Sequence, residues 1–306
     1  MRVETSKEAS TYLPNKRVKN FKKIITPYVL LFPAVLFVAA ILGYAVVSGM
    51  LMSLFQIDLM LVDRPFVGIQ NYIELFKNPI FQYSLIRTLI FVIASIILGL
   101  VLSMTFALSL YKCTRFGNAL KGLALIPYLV SGIATAIMFR FMFSGEVGLV
   151  NMVLESFGFD KILWLADPNL ALFVAVLANT WFIAPFAILI LLAGIQSIDP
   201  DLFEAATLDG APKWVVFKSI ILPLITPMLG ISLIWLSFAS FNMFDVILPL
   251  TGGGPGRATE LLAVYMYKVA FQELKYSIGS AVMVVILFFN VIVSLIYLKF
   301  FKVSEE

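Results

Sequence analysis

Residues able to make or break bonds are scarce in this chain. Among its 306 residues there is no histidine and one cysteine, Cys113. A Ser-His-Asp triad, a His-ligated zinc site and a histidine proton relay are excluded by inventory, and Cys113 has no partner for an internal disulfide. No two carboxylates are adjacent before Glu305-Glu306, whereas a transferase acting on polyprenyl phosphates needs clustered aspartates to hold magnesium. The one Gly-rich stretch, Gly252 to Gly256, is followed by Arg257-Ala258 and not by the Lys-Ser/Thr of a phosphate-cradling loop, so it reads as a turn. The sequence therefore suggests no catalytic residue, no metal site and no cofactor bound by this chain.

The elements that carry the remaining polar side chains are apolar. The composition is 61% hydrophobic and 13% charged, with a mean hydropathy of +1.00, far outside the soluble range. Charged residues divide the chain into six charge-free runs, 24–57, 88–111, 122–139, 168–198, 219–244 and 276–298. Each meets or nearly meets the ~20 residues that a helix needs to cross a bilayer. The third is the shortest and is completed by Arg140, whose long side chain snorkels. Segments of alternating polarity, as a membrane barrel requires, are absent. The reading is an all-α membrane protein with six transmembrane helices.

The lysines and arginines orient it. With the N-terminus inside, Arg2, Lys7, Lys16, Arg17, Lys19, Lys22, Lys23, Lys112, Arg115, Lys121, Lys213, Lys218, Lys299 and Lys302 are cytoplasmic. The other eight of the 22 fall outside or at outer helix ends. This obeys the positive-inside rule and puts both termini in the cytoplasm. The net charge of +4 is too small to indicate nucleic acid. The first apolar run is too long for a cleaved signal core and reads as a retained span. The expected organisation is a basic cytoplasmic tail (1–26) drawn to anionic membrane lipid, a first span with its external loop (27–84), and a core (85–302). Internal repeats and low-complexity tracts are not seen.

One cytoplasmic loop is organised beyond what a connector needs. Asp199 suits a helix N-cap, Pro200 the first helical position and Asp201 the first turn. Gly210 suits a left-handed stop, and Pro212 opens a second short helix. Ala205 and Ala206 leave the backbone approachable beside Glu204. On helix signals alone, a capped surface helix with no partner explains these residues equally well.

The spacing adds more. Glu204-Ala205-Ala206, three residues, Gly210, nine residues, Ile220, one residue and Leu222-Pro223 resembles the EAA loop of permease subunits of binding-protein-dependent ABC importers. Phe241-Asn242-Met243-Phe244-Asp245, Leu250-Thr251-Gly252-Gly253-Gly254-Pro255 with Thr259, and Phe66-Val67-Gly68-Ile69-Gln70-Asn71-Tyr72 are similar to signatures of its carbohydrate branch, the maltose and glycerol-3-phosphate type. The resemblance covers about residues 27 to 300. It departs from the maltose member in lacking extra N-terminal spans and a large external insert.

The resemblance implies a type I ABC importer permease fold in the plasma (inner) membrane of a bacterium or archaeon, with a cytoplasmic EAA coupling helix in the loop 197–223. It implies a translocation subunit with no ATPase chemistry of its own. The implied partners are a second EAA-loop permease, a cytosolic ABC ATPase dimer that binds ATP and magnesium, an extracytoplasmic sugar-binding protein and the carbohydrate itself. Coupling to the ATPase is carried over to Glu204, Ala205, Ala206, Asp209, Gly210, Leu222 and Pro223, with Glu204 as the charged contact, Ala205 and Ala206 allowing close packing and Gly210 setting the turn. The substrate path is carried over to the spans flanking the loop. There Asn179, Ile183 and Phe186 fall at i, i+4 and i+7 on one helical face, with Ser240, Asn242 and Met243 on the next span. Helix packing explains the same small and polar residues equally well. Asp245 is an intramembrane carboxylate near an outer end, and Pro185 and Pro249 are positions for a kink.

Two other classes compete. An ion-coupled secondary transporter wants several ionisable residues in mid-span, and the charge-free runs hold none. A membrane-embedded transferase wants the acidic cluster that is missing.

Overall fold

In the computed structural model, residues 27, 29–57, 64–112 and 117–301 are described. The basic tail, Cys113, Arg115 and Lys302 lie outside them. The chain divides into two units, Met1–Leu51 and Met52–Glu306. In the first, α1 (Val29–Met52) is long and apolar enough to cross a membrane. The division differs from the 27–84 and 85–302 boundary because the segment after α1 is tied into the second unit. Asn71, buried, donates from Nδ2 to the carbonyls of Ser53 (2.7 Å) and Phe55 (2.9 Å), and Ser277 Oγ accepts from the Ile57 amide at 3.0 Å.

The second unit is helical. Its described residues hold α2 (Gln70–Lys77), α3 (Pro79–Lys112), α4 (Gly117–Leu129), α5 (Gly132–Met142), α6 (Leu149–Ser156) and α7 (Pro168–Gln196). Then follow α8 (Pro200–Leu208), α9 (Lys213–Leu224), α10 (Thr226–Phe241), α11 (Ile247–Thr251), α12 (Leu262–Tyr267) and α13 (Tyr276–Phe300). The only β pairing among the described residues is one bridge between Phe55 and Phe66.

Among the described residues four helices, α1, α3, α7 and α13, are each long and apolar enough to span unbroken, and the number is six when each of two bent helix pairs is counted as one span. The third and fifth spans are thus not straight helices. The third turns through 91° between α4 and α5, where Ser131 leaves the helical region and its side chain accepts from the Ala134 amide at 3.2 Å to cap α5. The fifth bends by 75° at Ile225. Pro227 opens the next helix without an N–H for the carbonyl four residues back, so the helix is interrupted there. Neither bend falls at the two expected prolines. The α7 helix runs on through Pro185, with Trp235 Nε1 and Ser103 Oγ donating to the neighbouring carbonyls of Ile183 (3.1 Å) and Ala184 (3.2 Å). Pro249 lies in the short α11.

The centre of the second unit is α7, whose buried Ala171, Ala175, Ala178, Ala184, Ala187 and Gly194 let neighbouring helices approach closely. A Cβ on Gly194 would lie 2.8 Å from Met228 Cγ, so glycine is what lets the end of α7 meet the start of α10. Phe91, Phe139, Ile183, Leu236 and Val246 fill the main core, and Leu75, Phe81, Leu262 and Val285 a second one. A third joins Ala107 and Leu110 of α3, Leu191 and Ile195 of α7, and Ile221 and Ile225 around the fifth-span bend. This third core fixes both ends of the loop that carries α8.

Candidate functional site

The loop between α7 and α10 forms the helix its sequence anticipates. Asp199 caps α8 by accepting from the Asp201 amide at 3.0 Å, and Pro200 occupies the first turn. At the other end Gly210 has φ +65°. The Gly210 amide donates to the Thr207 carbonyl (3.1 Å) and the Ala211 amide to the Ala206 carbonyl (2.9 Å), which together close a Schellman motif. A Cβ on Gly210 would meet nothing within 4 Å, so the glycine is required by its dihedral and not by crowding.

The two faces of α8 differ. Ala206 is buried and Phe203 packs its ring 5.7 Å from that of Tyr111, anchoring the helix to the end of α3. Glu204, Ala205, Asp209 and Gly210 are exposed, and Leu208 projects with 89% of its surface free. The alanine pair is therefore divided: Ala205 faces outward and Ala206 faces its own chain. Leu222 and Pro223 are not on this helix. They close α9, three and two residues before the bend at Ile225.

The candidate path residues separate in the same way. Asn179 and Ser240 meet, with Asn179 Nδ2 donating to Ser240 Oγ at 3.0 Å, and both are fully buried. Ile183 and Met243 are buried too, whereas Phe186 and Asn242 reach the surface. Phe186 belongs to an aromatic group that sequence reasoning missed. Its ring lies 5.8 Å from Tyr128, nearly parallel, and 4.5 Å from Trp235. Tyr128 also faces Phe182 at 6.3 Å. Tyr128 sits on the last turn before the α4–α5 bend, and the Pro127-Tyr128 pair ahead of Ser131-Gly132 was the available signal.

At the end of the fifth span away from α8, Asp245 is exposed and lies at the N-terminus of α5, where a Cβ on Gly132 would come 2.8 Å from Asp245 Cβ. A carboxylate there complements the helix dipole. The Gly-rich turn that follows is tightly tied. Thr259 Oγ1 is 2.6 Å from Thr251 Oγ1 and donates to the Gly254 carbonyl at 2.8 Å. Glu260, also unanticipated, is buried between Arg257 Nη1 (2.7 Å) and Lys268 Nζ (2.6 Å). Burial, then the Glu273 and Glu260 carboxylates, push the neighbouring Tyr265 phenol up to about 12, so it stays protonated. Among the described residues no group of three acidic or cysteine side chains could hold a metal ion.

Residues 92–302 match the family described as binding-protein-dependent transport system inner membrane component. The chain belongs to this family. It is a multi-pass permease component of a transport system and not an enzyme. Among similar proteins is the trehalose/maltose transport system permease protein MalF of Thermococcus litoralis, 35% identical over 275 residues, which are 89% of this chain and 92% of that protein. Another is the sn-glycerol-3-phosphate transport system permease protein UgpA of Yersinia enterocolitica, 32% identical over 277 residues, covering 90% and 93%. The permease fold is also that of a bacterial ABC transporter involved in the import of the acidic polysaccharide alginate. That chain superposes with a TM-score of 0.79 at 22% identity, over 95% of this chain and 100% of that one.

Proposed function

We propose that this permease passes a carbohydrate, whether sugar, oligosaccharide or polyol derivative, inward from an extracytoplasmic solute-binding protein. It does so with a second EAA-loop permease and a cytosolic ABC ATPase dimer, with both of its own termini in the cytoplasm. ATP and magnesium are bound by the ATPase, and this chain needs no cofactor. The observation that carries the reading is α8, a helix capped at both ends and anchored by Phe203 and Ala206, which presents Glu204, Ala205 and Leu208 away from the chain. A carboxylate beside a bare apolar side chain suits a protein partner. The capped Gly210 turn and α9 form a short connection by which a push on α8 reaches the bend at Ile225. Leu222, Pro223 and Asp209 belong to that connection.

The path is set by α7 and α10. Asn179 and Ser240 hold the two helices in register, while Phe186, with Tyr128 and Trp235, gives an accessible aromatic surface one to two turns away. Sugars are bound by aromatic faces against their C–H patches and by side-chain hydrogen bonds to their hydroxyls. The Ile183 carbonyl accepts from Trp235 Nε1 at 3.1 Å and so backs this surface, while beyond Ser240 Met243 is buried and the exposed Asn242 donates from Nδ2 to the Phe238 carbonyl at 2.8 Å. The carbohydrate class is supported by the relatives that serve trehalose/maltose and sn-glycerol-3-phosphate transport systems. The test is reconstitution of the permease pair, ATPase and binding protein in proteoliposomes. Sugar uptake should require ATP and the binding protein together. Uptake that proceeds on an ion gradient without ATP would overturn the proposal.

A further inference from the structure

Behind α8 the described chain leaves a cavity of about 1200 Å³, walled by Leu100, Val101, Met104 and Leu108 of α3 and by Val216, Phe217, Ile221 and Leu229 of the fifth span. It is larger than the ~300–1,000 Å³ of pockets that enclose compact small molecules. From Leu100 to Lys112 its α3 wall runs about 18 Å along the span at 1.5 Å per residue. A cytosolic protein cannot follow an apolar wall that far into the bilayer, so the occupant comes from the membrane itself. Two features select a lipid over another helix. Lys112 and Lys213 line the cavity, are exposed, and make no ion pair among the described residues. Tyr111 and the exposed Trp214 line it as well, the residue types that settle at headgroup level. The cavity also reaches Thr207, Gly210 and Ala211, so its occupant touches the turn that joins α8 to α9.

We infer that this groove is a binding site for one anionic phospholipid, its acyl chains along α3 and its headgroup between Lys112 and Lys213, and that its occupancy stiffens the Gly210 turn and raises coupling to the ATPase. The inference rests on the orientation proposed above, which puts this end of α3 at the cytoplasmic leaflet, where anionic lipid attracts basic side chains.

The experiment uses the whole transporter in nanodiscs of phosphatidylcholine alone or phosphatidylcholine with phosphatidylglycerol. Lipid retained on the complex is measured by native mass spectrometry, and binding-protein-stimulated ATP hydrolysis is followed in parallel. Wild type should retain phosphatidylglycerol and hydrolyse faster in its presence. Replacing both lysines (K112Q with K213Q) should weaken retention by about thirtyfold, a factor of about five for each charge, and remove the lipid response, while K112R with K213R should keep both. Leu108→Trp, which fills the groove without changing charge, should also remove them. Retention unchanged in both the glutamine and the tryptophan variants would overturn the inference. So would an efficient disulfide from Leu108→Cys to a cysteine in a partner-permease span, which would put a helix in the groove. Labelling of Thr207→Cys from outside the cell would instead show that the orientation has failed. Cytoplasmic labelling with no lipid effect would sink the lipid site alone.

Discussion

Asn179 Nδ2 donates to Ser240 Oγ over 3.0 Å, joining the two helices on either side of the α8 loop deep inside the chain. The side-chain oxygen Oδ1 of Asn179 has no partner among the described residues, so Ser240 is the only one of them that bonds this buried side-chain amide. Truncation is asymmetric. In Asn179→Ala the Ser240 hydroxyl can turn back to a carbonyl of its own helix, whereas Ser240→Ala strands the whole amide. Ser240→Ala should therefore cost more, about 1–3 kcal/mol. A double-mutant cycle on unfolding of the purified complex should give a coupling of about 0.6 kcal/mol and at most ~1.7 kcal/mol, as for other interhelical bonds in membranes. A cycle energy of zero would show that the two residues do not act as a pair.

Gly210 has a left-handed backbone with open space around its missing Cβ, so substitution there acts through dihedral preference. Gly210→Ala should cost about 1 kcal/mol, Gly210→Val more, and Gly210→Asn less, because asparagine tolerates this region. The loss falls on the Schellman turn between α8 and α9. Sugar uptake and stimulated ATP hydrolysis in proteoliposomes should decline together in the order Asn, Ala, Val, with binding-protein affinity for sugar unchanged. Wild-type uptake in Gly210→Val would remove the turn from the coupling path.

Charge-free runs locate helices well where the ends are marked by a cap. The run 168–198 becomes Pro168–Gln196, with Asp167 accepting from the Asn169 and Leu170 amides at 2.9 Å. They fail where a charge is tolerated within a helix. The α3 helix begins at Pro79 and not at Thr88, because Arg87 bonds Tyr83 Oη at 3.0 Å and lies over its ring. Counting charge is also blind to direction, so a 91° turn inside an apolar run leaves no mark except local chemistry at Pro127 and Ser131. The EAA helix was legible to its caps because capping is local. Helical phase placed Asn179 and Ser240 on faces, but not which face meets which, since that depends on how α7 and α10 cross. Glu260 was invisible because its burial is set by cations three residues earlier and eight later.

Orientation is open to thiol labelling. Ser156 and Thr207 are both exposed, one at the end of α6 and the other on α8. With Cys113 replaced, Ser156→Cys should react with an impermeant reagent on whole cells, and Thr207→Cys only after permeabilisation. The expectation follows from the fourteen lysines and arginines read as inside against eight outside. Equal reaction of both positions on intact cells would be incompatible with six spans and both termini inside.

The Glu260 carboxylate ties the Gly-rich turn to the segment after α12, and its two partners are unequal. The side chain of Glu260 is 1% exposed, that of Lys268 27% and that of Arg257 49%. Removing the buried member leaves two cations facing a site built for an anion. Glu260→Gln should thus destabilise this Gly-rich loop by about 2 kcal/mol, below the ~3–5 kcal/mol of a wholly buried pair because both cations reach water. Lys268→Met should cost less, and Arg257→Gln least, within the ~0–1 kcal/mol of a surface pair. Arg257 has φ +66°, so Arg257→Gly exchanges a half-exposed ion pair for relief of backbone strain of similar size and should be near neutral. Hydrogen exchange across 252–261 in the assembled transporter reads these differences directly, with stimulated ATP hydrolysis following the same order. If Glu260→Gln exchanged no faster than wild type, the carboxylate would not be what holds the turn.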